Sequence, residues 1–279
     1  MTSLILEGGT FRPIFSAGVM DALLEHDIIL PYIIGVSAGI TNGLSYVSKQ
    51  KERNLEIITK FRNDKRYIGK RNFIKEKSIF GLKFAFEEIP NQLVPFDYET
   101  FNQYNGKIIV GVTNAANGKA EYLDGKIVDE KNSMIRATCS IPGFFPACKL
   151  NNKEYFDGGI SDSIPIVKAI DDGNKKHLII LTQPKDFKKR PNKTSKLIAK
   201  LLEKKYPLLA KTMRNRHNQY NQSLNICKAL ERDGKALIIQ PNKKISSFEK
   251  DVNVLKEAYL EGKQYVYNHI NEIKKFIKD

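Results

Sequence analysis

The sequence around Ser37 constrains the fold more than any other part of the chain. An apolar run at residues 31–34 is followed by Gly35-Val36-Ser37-Ala38-Gly39 and then by a stretch with helix-compatible spacing, residues 40–48. A small-x-Ser-x-small turn between a strand and a helix forces the serine into a tight bend, and its glycines remove Cβ atoms that would clash there. The pattern predicts that Ser37 projects from a strand end at a helix N-terminus, where the helix dipole favours a developing negative charge.

A glycine pair near the N-terminus follows a second candidate strand. Ser3-Leu4-Ile5-Leu6 is a short candidate for a buried strand and leads into Glu7-Gly8-Gly9-Thr10, after which a helical pattern begins. Such a pair lets backbone amides turn toward one point, as in an oxyanion hole or a phosphate cradle. An ordinary strand-to-helix turn is the alternative. The spacing required for either common nucleotide motif, GxGxxG or GxxxxGK[ST], is not met at this turn, which argues against a nucleotide-binding protein.

A third segment, Asp157-Gly158-Gly159, follows a short apolar stretch. It is consistent with an Asp-Gly hairpin turn. It is also consistent with a base for Ser37, although a carboxylate with an ordinary pKa of roughly 3.9 is a poor base unless a partly desolvated site holds it against the hydroxyl. The four histidines occupy polar or helix-ending contexts without nearby glycines, so we do not expect any of them to be catalytic.

The order of these segments resembles the patatin-like phospholipases. The resemblance covers residues 3–170 densely and the remainder loosely, and residues 137–146 also look like the segment that precedes the Asp-Gly motif in that family. Three motifs carry it: Gly8-Gly9-x-x-Arg12, Gly35-x-Ser37-x-Gly39 and Asp157-Gly158-Gly159.

The resemblance implies a patatin-like three-layer fold and a Ser-Asp dyad that works without histidine. By position, Ser37 is the nucleophile and Asp157 the base. It further implies hydrolysis of acyl esters of phospholipids or lysophospholipids through an acyl-enzyme, with no metal and no cofactor. The remaining roles that it implies are an oxyanion hole and supporting turns: Gly8, Gly9, Thr10 and Arg12 for the hole, and Gly35, Gly39, Gly158 and Gly159 for the turns.

Two positions depart from the family pattern. Thr10 stands where the family usually has a third glycine, and Pro13 stands where it usually has glycine after the basic residue. Thr10 keeps an N–H to donate. Pro13 has a fixed φ that suits the first turn of a helix. The departures bear on catalytic rate, because removing one oxyanion donor costs on the order of 10²- to 10³-fold.

Length and composition favour one α/β domain over residues 1–279, with the catalytic motifs in residues 3–170 and a basic helical part in residues 185–279. The chain has 279 residues, of which 41% are hydrophobic and 28% charged, enough apolar content for a core. Candidate strands alternate with helical stretches, which predicts a largely parallel central sheet with helices on both faces. The strands are expected at residues 4–6, 32–36, 107–112, 178–182 and 236–240, and a closing helix at residues 254–277.

Targeting and redox signals point to the cytoplasm. The N-terminus enters the first strand without a basic region followed by a long apolar stretch, and no run of about 18 apolar residues occurs. Three cysteines, an odd number, suit a reducing compartment. There is no H-E-x-x-H or CxxC metal motif.

The net charge of +15 is concentrated in two segments. Residues 185–216 contain 12 basic and 2 acidic residues, and residues 60–83 contain 9 and 2. An anionic membrane surface or a nucleic acid could explain this charge, as could a lysine-rich solvated surface. No nucleic-acid-binding module is recognisable, so no specific nucleic-acid partner is expected. Peripheral membrane association gains support from Ile198, Leu201 and Leu202, which alternate with lysines as in a basic amphipathic helix.

Several hypotheses remain open from the sequence. The leading one is a lipid acylhydrolase at a membrane surface. A second is a general carboxylesterase or thioesterase that uses the same dyad. A third is a lipid-binding protein on the same fold, which would keep the motifs but hydrolyse esters only weakly. A second apolar and basic stretch, residues 73–86, is a candidate lid or acyl-pocket wall, although most of its apolar side chains are expected to pack in the core.

Overall fold

The computed structural model describes residues 1–278. Its centre is a sheet of eight strands. Their bounds are β1 Thr2–Leu6, β2 Tyr32–Val36, β3 Lys107–Asn114, β4 Ala120–Asp124, β5 Cys148–Leu150, β6 Lys153–Asp157, β7 Lys176–Ile180 and β8 Ala236–Ile239. The strand order is β5-β6-β3-β2-β1-β7-β8, and β4 also pairs with β3.

Ten α-helices surround the sheet. They are α1 Ile14–Glu25, α2 Ser37–Val47, α3 Arg53–Phe61, α4 Lys70–Glu76, α5 Tyr98–Gln103, α6 Ser133–Thr138, α7 Ile166–Asp171, α8 Lys193–Leu202, α9 Pro207–Arg232 and α10 Val252–Lys278. Phe84–Leu93 forms a π-helix that contains Pro90, and Gly158–Ile160 forms a single 3₁₀ turn.

The sheet is parallel in its centre and antiparallel at one edge. β1 pairs in parallel with β2 and β7, β2 with β3, and β7 with β8. The hairpin strands β4, β5 and β6 add the antiparallel pairs. The prediction of a largely parallel sheet is therefore confirmed.

Both faces of the sheet are covered by helices. Leu4 and Leu6 of β1 are fully buried in the cluster that α1, α2 and α10 share, whereas Ile5 lies in a separate cluster with α7 and α9. Because alternate side chains of a strand point to opposite faces, a strand covered on both sides must be apolar along its whole length. The three-layer arrangement expected from the sequence follows from this burial.

Helix α10 packs across α1 and closes one face of the sheet. The predicted C-terminal helix is present, beginning at Val252, and its only non-helical backbone in the described range is at His269 (φ −121°, ψ 16°). Between the two helices, Tyr259 donates a hydrogen bond to Asp21 (2.6 Å), which also accepts from the amide of Glu52 (2.7 Å). These bonds fix α10 and the start of α3 to α1.

The sequence predicts a loop at residues 63–72, and this prediction is partly wrong, because α4 begins at Lys70. The adjoining stretch, residues 73–86, divides by exposure. Phe73 and Ile74 are 51% and 85% exposed, whereas Phe80, Leu82 and Phe84 are buried. No helix among residues 1–278 is long and apolar enough to cross a membrane.

The α1–α10 contact leads to a stability prediction. A Cβ built on Gly262 would lie 2.2 Å from the carbonyl oxygen of Phe15, so alanine there forces the two helices apart. Alanine usually favours a helix by about 1 kcal/mol over glycine. We nevertheless expect Gly262→Ala to lower the free energy of unfolding by roughly 2 kcal/mol in urea denaturation.

The control for this substitution is Lys274→Ala, at an exposed position of the same helix. It should change the free energy of unfolding by less than about 0.5 kcal/mol. A Gly262→Ala protein more stable than wild type would contradict the close packing of α1 and α10.

Candidate active site

Ser37 stands at the junction of β2 and α2 in a strained backbone conformation. It is the first residue of α2 and has φ +54°, a left-handed value that is uncommon for a residue other than glycine. The turn is tight: a Cβ on Gly39 would lie 2.5 Å from the carbonyl oxygen of Glu7. The small residue predicted at this position is therefore required for α2 to pass the end of β1.

Asp157 meets Ser37 from the antiparallel edge of the sheet. It is the last residue of β6 and pairs with Val112 of β3, the strand next to β2. The hydroxyl of Ser37 donates a hydrogen bond of 2.6 Å to Oδ2 of Asp157, and both residues are buried. The amide of Gly159 donates to the other carboxylate oxygen, Oδ1, at 2.8 Å. The two residues selected from the sequence are thus in direct contact.

Burial raises the pKa of the Asp157 carboxyl above its usual range. The hydrogen bond from Ser37, the charge of Arg216 and the amide of Gly159 act in the opposite direction. A carboxylate that is desolvated in this way accepts a proton more readily than one in water.

Arg216 is a site residue that the sequence did not single out. It lies on α9, and its Nε donates to the carbonyl oxygen of Gly159, next to the Asp157 turn. Since 57 residues separate Arg216 from Gly159 and no motif surrounds it, only the folded structure reveals the contact.

Thr138 was also missed, although it lies in the segment that precedes the Asp-Gly motif. Its hydroxyl accepts a hydrogen bond from the amide of Ser37 (2.8 Å) and donates one to the carbonyl oxygen of Gly111 (2.6 Å). Thr138 is fully buried at the end of α6. It therefore ties the strained turn at Ser37 to β3 with one hydroxyl group.

The glycine loop after β1 faces the same point. Gly9 has φ +152° and Thr10 has φ +57°. Within residues 1–278, the amides of Gly9 and Thr10 donate no hydrogen bond to another protein group. A Cβ on Gly8 would lie 2.9 Å from Cβ of Ser37, so the loop passes directly beside the serine.

The side chain of Arg12 braces this loop and does not contact Ser37. Its Nε donates to the hydroxyl of Thr182 (3.2 Å) and its Nη1 to the hydroxyl of Ser247. The guanidinium lies against Gly9, since a Cβ there would be 2.7 Å from Nη2. Thr182 and Ser247 thereby join the loop to the C-terminal part of the chain.

An apolar cavity opens beside Ser37. It has a volume of about 160 Å³ and includes Thr10, Ser37 and Cys139 among its lining residues. Its apolar walls come from α1 and the turn before it, α3, the stretch before α5 and the loop after α6, and include Phe11, Ile14, Ile58, Phe80, Phe86, Ile89 and Phe145. Two of the aromatic residues from the predicted lid or acyl-pocket segment, Phe80 and Phe86, therefore line this cavity.

Two family descriptions match parts of the chain. Residues 4–170 match the family described as "Patatin-like phospholipase", which is more than half of the chain. The chain belongs to the patatin-like phospholipase family. A second match, over residues 206–278, is to a family described as "Domain of unknown function (DUF6363)".

Relatives of this patatin-like chain include proteins from bacteria, yeast and a virus. "Uncharacterized protein YjjU" of Escherichia coli is 28% identical over 65% of this chain, and "Triacylglycerol lipase 4" of Saccharomyces cerevisiae is 27% identical over 64%. "Probable lipid hydrolase 463L" of Invertebrate iridescent virus 6 is 26% identical over 63%. The alignments span 52%, 23% and 65% of those proteins, respectively, so the chain corresponds to only a part of each.

The two departures from the patatin-like pattern now have a structural description. Pro13 has φ −63° and stands at the N-terminal end of α1, as its ring geometry predicts. Thr10 adopts the left-handed backbone that a glycine would adopt freely, at a cost of roughly 1–2 kcal/mol for a residue with a Cβ. The surrounding bonds of Phe11 and Arg12 to Ser247 hold Thr10 in this conformation.

Over residues 1–278, the histidines, the cysteine beside the site and the metal-ligating side chains do not offer another reactive group at Ser37. No histidine of the described chain hydrogen-bonds to Ser37 or Asp157, and the ring of His177 instead contacts the hydroxyl of Ser3 (2.8 Å). Burial raises the pKa of the Cys139 thiol to about 12, so it is not a ready nucleophile. No group of three metal-ligating side chains occurs in residues 1–278.

The role of Thr138 can be tested with a near-isosteric substitution. Thr138→Val leaves the Ser37 amide and the Gly111 carbonyl without their partner. We expect the free energy of unfolding to fall by roughly 2 kcal/mol or more, because each buried unsatisfied group costs about 1–3 kcal/mol. Hydrolysis of a short-chain nitrophenyl ester should fall by roughly ten- to a hundredfold as the serine turn shifts.

Thr138→Ser is the matched control, since it keeps the hydroxyl and loses only a methyl group. It should retain most of the activity. Equal stability and activity of the valine and serine variants would show that the hydroxyl does not hold the turn.

Proposed function

We propose that this protein is a serine acylhydrolase that cleaves ester bonds of phospholipids or lysophospholipids through Ser37 and Asp157. The observation that carries the proposal is the 2.6 Å hydrogen bond from the Ser37 hydroxyl to the Asp157 carboxylate, at a strained turn beside an apolar cavity. Family membership and the names of the lipase relatives support a lipid substrate.

In the proposed reaction, Asp157 accepts the proton of Ser37 as the serine oxygen attacks the ester carbonyl. The tetrahedral intermediate collapses, the alcohol leaves with that proton, and the acyl group stays on Ser37. A water molecule, deprotonated by Asp157, then attacks the acyl-enzyme. The bond from the acyl carbon to the Ser37 oxygen breaks, Asp157 returns the proton to Ser37, and the fatty acid is released. The raised pKa of the Asp157 carboxyl suits both proton transfers.

The oxyanion is assigned to the loop between β1 and α1. Among residues 1–278 the amides of Gly9 and Thr10 have no protein acceptor, and both residues line a cavity together with Ser37, so these amides are available to a negatively charged oxygen. Arg12 braces this loop through Thr182 and Ser247 and is assigned a positioning role. Thr10 keeps the amide donor of the usual glycine, with its own backbone in the left-handed conformation.

The dyad can be tested by covalent labelling with a fluorophosphonate probe, which reacts with activated serines. We expect wild type to label and Ser37→Ala not to label. Asp157→Asn should label at least about a hundredfold more slowly, because general-base catalysis typically contributes 10²- to 10⁴-fold. The readout is the labelled fraction against time, with circular dichroism to verify folding.

Ser223→Ala is the control, since Ser223 lies on α9 outside the two cavities that Ser37 lines. It should label at the wild-type rate. A folded wild type that does not label would count against the acylhydrolase and in favour of a lipid-binding protein on this fold.

We further propose that an anionic membrane binds at α4 and α8. Both helices expose apolar side chains next to exposed lysines and arginines: Ile74 is 85% exposed and Leu201 75% exposed. Helix α8 lies against the loop at residues 141–145, where Ile198 faces Gly143. The segment that follows α4 reaches the same loop, because the amide of Ile79 donates to the carbonyl oxygen of Phe144 (3.0 Å). Ile141 of this loop lines the cavity beside Ser37.

This arrangement suits a protein that takes its substrate from a bilayer. Exposed apolar side chains on basic helices insert at the boundary between headgroups and acyl chains, and nearby lysines attract anionic lipids. Because α8 and the segment after α4 both contact the loop at the cavity, docking through these helices would bring Ser37 toward the membrane surface.

Sedimentation with vesicles tests the membrane proposal. The double variant Ile74→Glu/Leu201→Glu should bind phosphatidylglycerol vesicles at least roughly tenfold more weakly than wild type, since each side chain loses about 1.5–3 kcal/mol of apolar burial and adds a repelled charge. The comparison is made at low salt, where screening is weakest.

Leu260→Glu is the matched control, because Leu260 is 60% exposed on α10 and belongs to neither helix. It should bind like wild type apart from a small charge effect. Equal losses in both proteins, or no vesicle binding by wild type, would remove α4 and α8 as the membrane surface.

A further inference from the structure

A second cavity meets the apolar one at Ser37. It has a volume of about 900 Å³, and Thr10, Ser37 and Ile141 line both cavities. We call it the basic cavity, because its lining contains eight lysines and arginines against three acidic residues, Glu7, Asp157 and Asp186. The ester bond of a lipid at Ser37 would therefore have an apolar space and a cationic space within reach.

Two of the cations that line the basic cavity are Lys189 and Arg216. Arg216 flanks the site directly: a Cβ on Gly159 would lie 3.3 Å from its Nη2 and 3.0 Å from Oδ1 of Asp157. Lys189, in the segment before α8, places its Nζ 4.5 Å from the ring centre of Tyr220. Both side chains are half-buried.

Neither cation has an anionic partner of its own. No carboxylate lies within ion-pair distance of Lys189 or Arg216 in the described chain, although Arg214 on the same helix pairs with Glu203 (2.6 Å). The Nε of Arg216 is used by Gly159, whereas its two terminal nitrogens have no hydrogen-bond acceptor among residues 1–278. The nearby Glu7 is already engaged, accepting from the amide of Thr182 (2.7 Å).

The nearby carboxylates of Glu7 and Asp157 do not fully offset the cost of burying these two cations. Burial, helped by the charges of Arg216 and Arg12, lowers the pKa of the Lys189 ammonium to about 7. Burial also lowers the pKa of Arg216. A bound anion would offset both the desolvation and the mutual repulsion, and a phosphate accepts charge-assisted hydrogen bonds from both a guanidinium and an ammonium.

We propose that the basic cavity is a subsite for the phosphate of the substrate head group, with Lys189 and Arg216 as its ligands. This inference rests on the proposed acylhydrolase function. It selects, among lipid esters, a glycerophospholipid or lysophospholipid over a neutral acylglycerol. Both ligands lie outside residues 4–170, and Arg216 belongs to the stretch that matches the domain of unknown function.

A pair of soluble esters tests the subsite without a membrane. The two substrates are 1-hexanoylglycerol 3-phosphate and 1-hexanoylglycerol, which share the acyl group and differ in the phosphate. We expect wild type to prefer the phosphate ester in kcat/KM, and Lys189→Gln to reduce that preference by roughly tenfold, since a hydrogen bond between charged groups contributes about 1.5–3 kcal/mol. Arg216→Lys should reduce it as well, but Lys189 is the primary variant because Arg216 also holds Gly159.

Lys211→Gln is the control, because Lys211 is exposed on α9 and does not line the basic cavity. It makes the same charge change and should keep the wild-type preference. An equal reduction in Lys211→Gln would assign the effect to overall charge. An unchanged preference in Lys189→Gln would overturn the subsite.

Inorganic phosphate and glycerol 3-phosphate distinguish a site for free phosphate from a site for the phosphate of a lipid head group. Each is tested as an inhibitor of 1-hexanoylglycerol hydrolysis, and glycerol 3-phosphate should inhibit more strongly. If inorganic phosphate inhibits equally well and wild type does not prefer the phosphate ester, the cavity binds free phosphate and the head-group proposal fails.

A binding measurement tests the phosphate subsite independently of whether the protein hydrolyses esters. Titration calorimetry of glycerol 3-phosphate into Ser37→Ala should detect binding that Lys189→Gln weakens in the same background. If wild type cleaves neither ester but this binding holds, the proposed reaction fails and the anion site stands. If both esters are cleaved at equal rates and no binding occurs, the reaction stands and the anion site fails.

Discussion

The hydrogen bond from Ser37 to Asp157 joins two parts of the sheet that are built differently. Ser37 follows a parallel strand at the sheet centre, and Asp157 ends an antiparallel strand 120 residues later. Their meeting requires β3 to pair with β2 on one side and with β6 on the other. It also requires Thr138, which binds both the Ser37 amide and the Gly111 carbonyl. The 2.6 Å contact is therefore a property of the whole sheet edge, since no local turn could produce it.

Two cavities of opposite character meet at this bond. The apolar cavity is walled by aromatic and aliphatic residues from the N-terminal half, whereas the basic cavity draws most of its cations from residues 188–244. The buried carboxylate of Asp157 and the half-buried guanidinium of Arg216 both lie beside Gly159. This polarity matches the two ends of an amphiphilic ester, in which an acyl chain and a charged group extend from the same glycerol.

Local patterns predicted most of the fold and part of the site. The strand alternation, the closing helix and the tight turns at Ser37 and Gly8-Gly9 all have short-range signals in apolar runs, glycines and helical spacing. The pairing of Asp157 with Ser37 was predicted through motif order, and its catalytic role remains a prediction. The sequence does not predict the site positions of Lys189, Arg216 and Thr138. Their contacts are with residues distant in the sequence, and the residues next to them form no motif that would indicate those contacts. The start of α4 within an expected loop, and the π-helix at Phe84–Leu93, likewise depend on tertiary packing.

The bonds of Arg12 have a consequence for where the functional unit ends. Every motif residue lies before residue 170, yet the loop beside Ser37 is held by Thr182 after β7 and by Ser247 before α10. The strained backbone of Thr10 relies on those same bonds. A chain shortened to the matched family segment would keep all the motif residues and lose the supports that orient them. The segment matched by sequence similarity ends at residue 170, but the residues that hold the loop beside Ser37 in place extend to Ser247. The part of the chain needed to position the site is therefore longer than the matched segment.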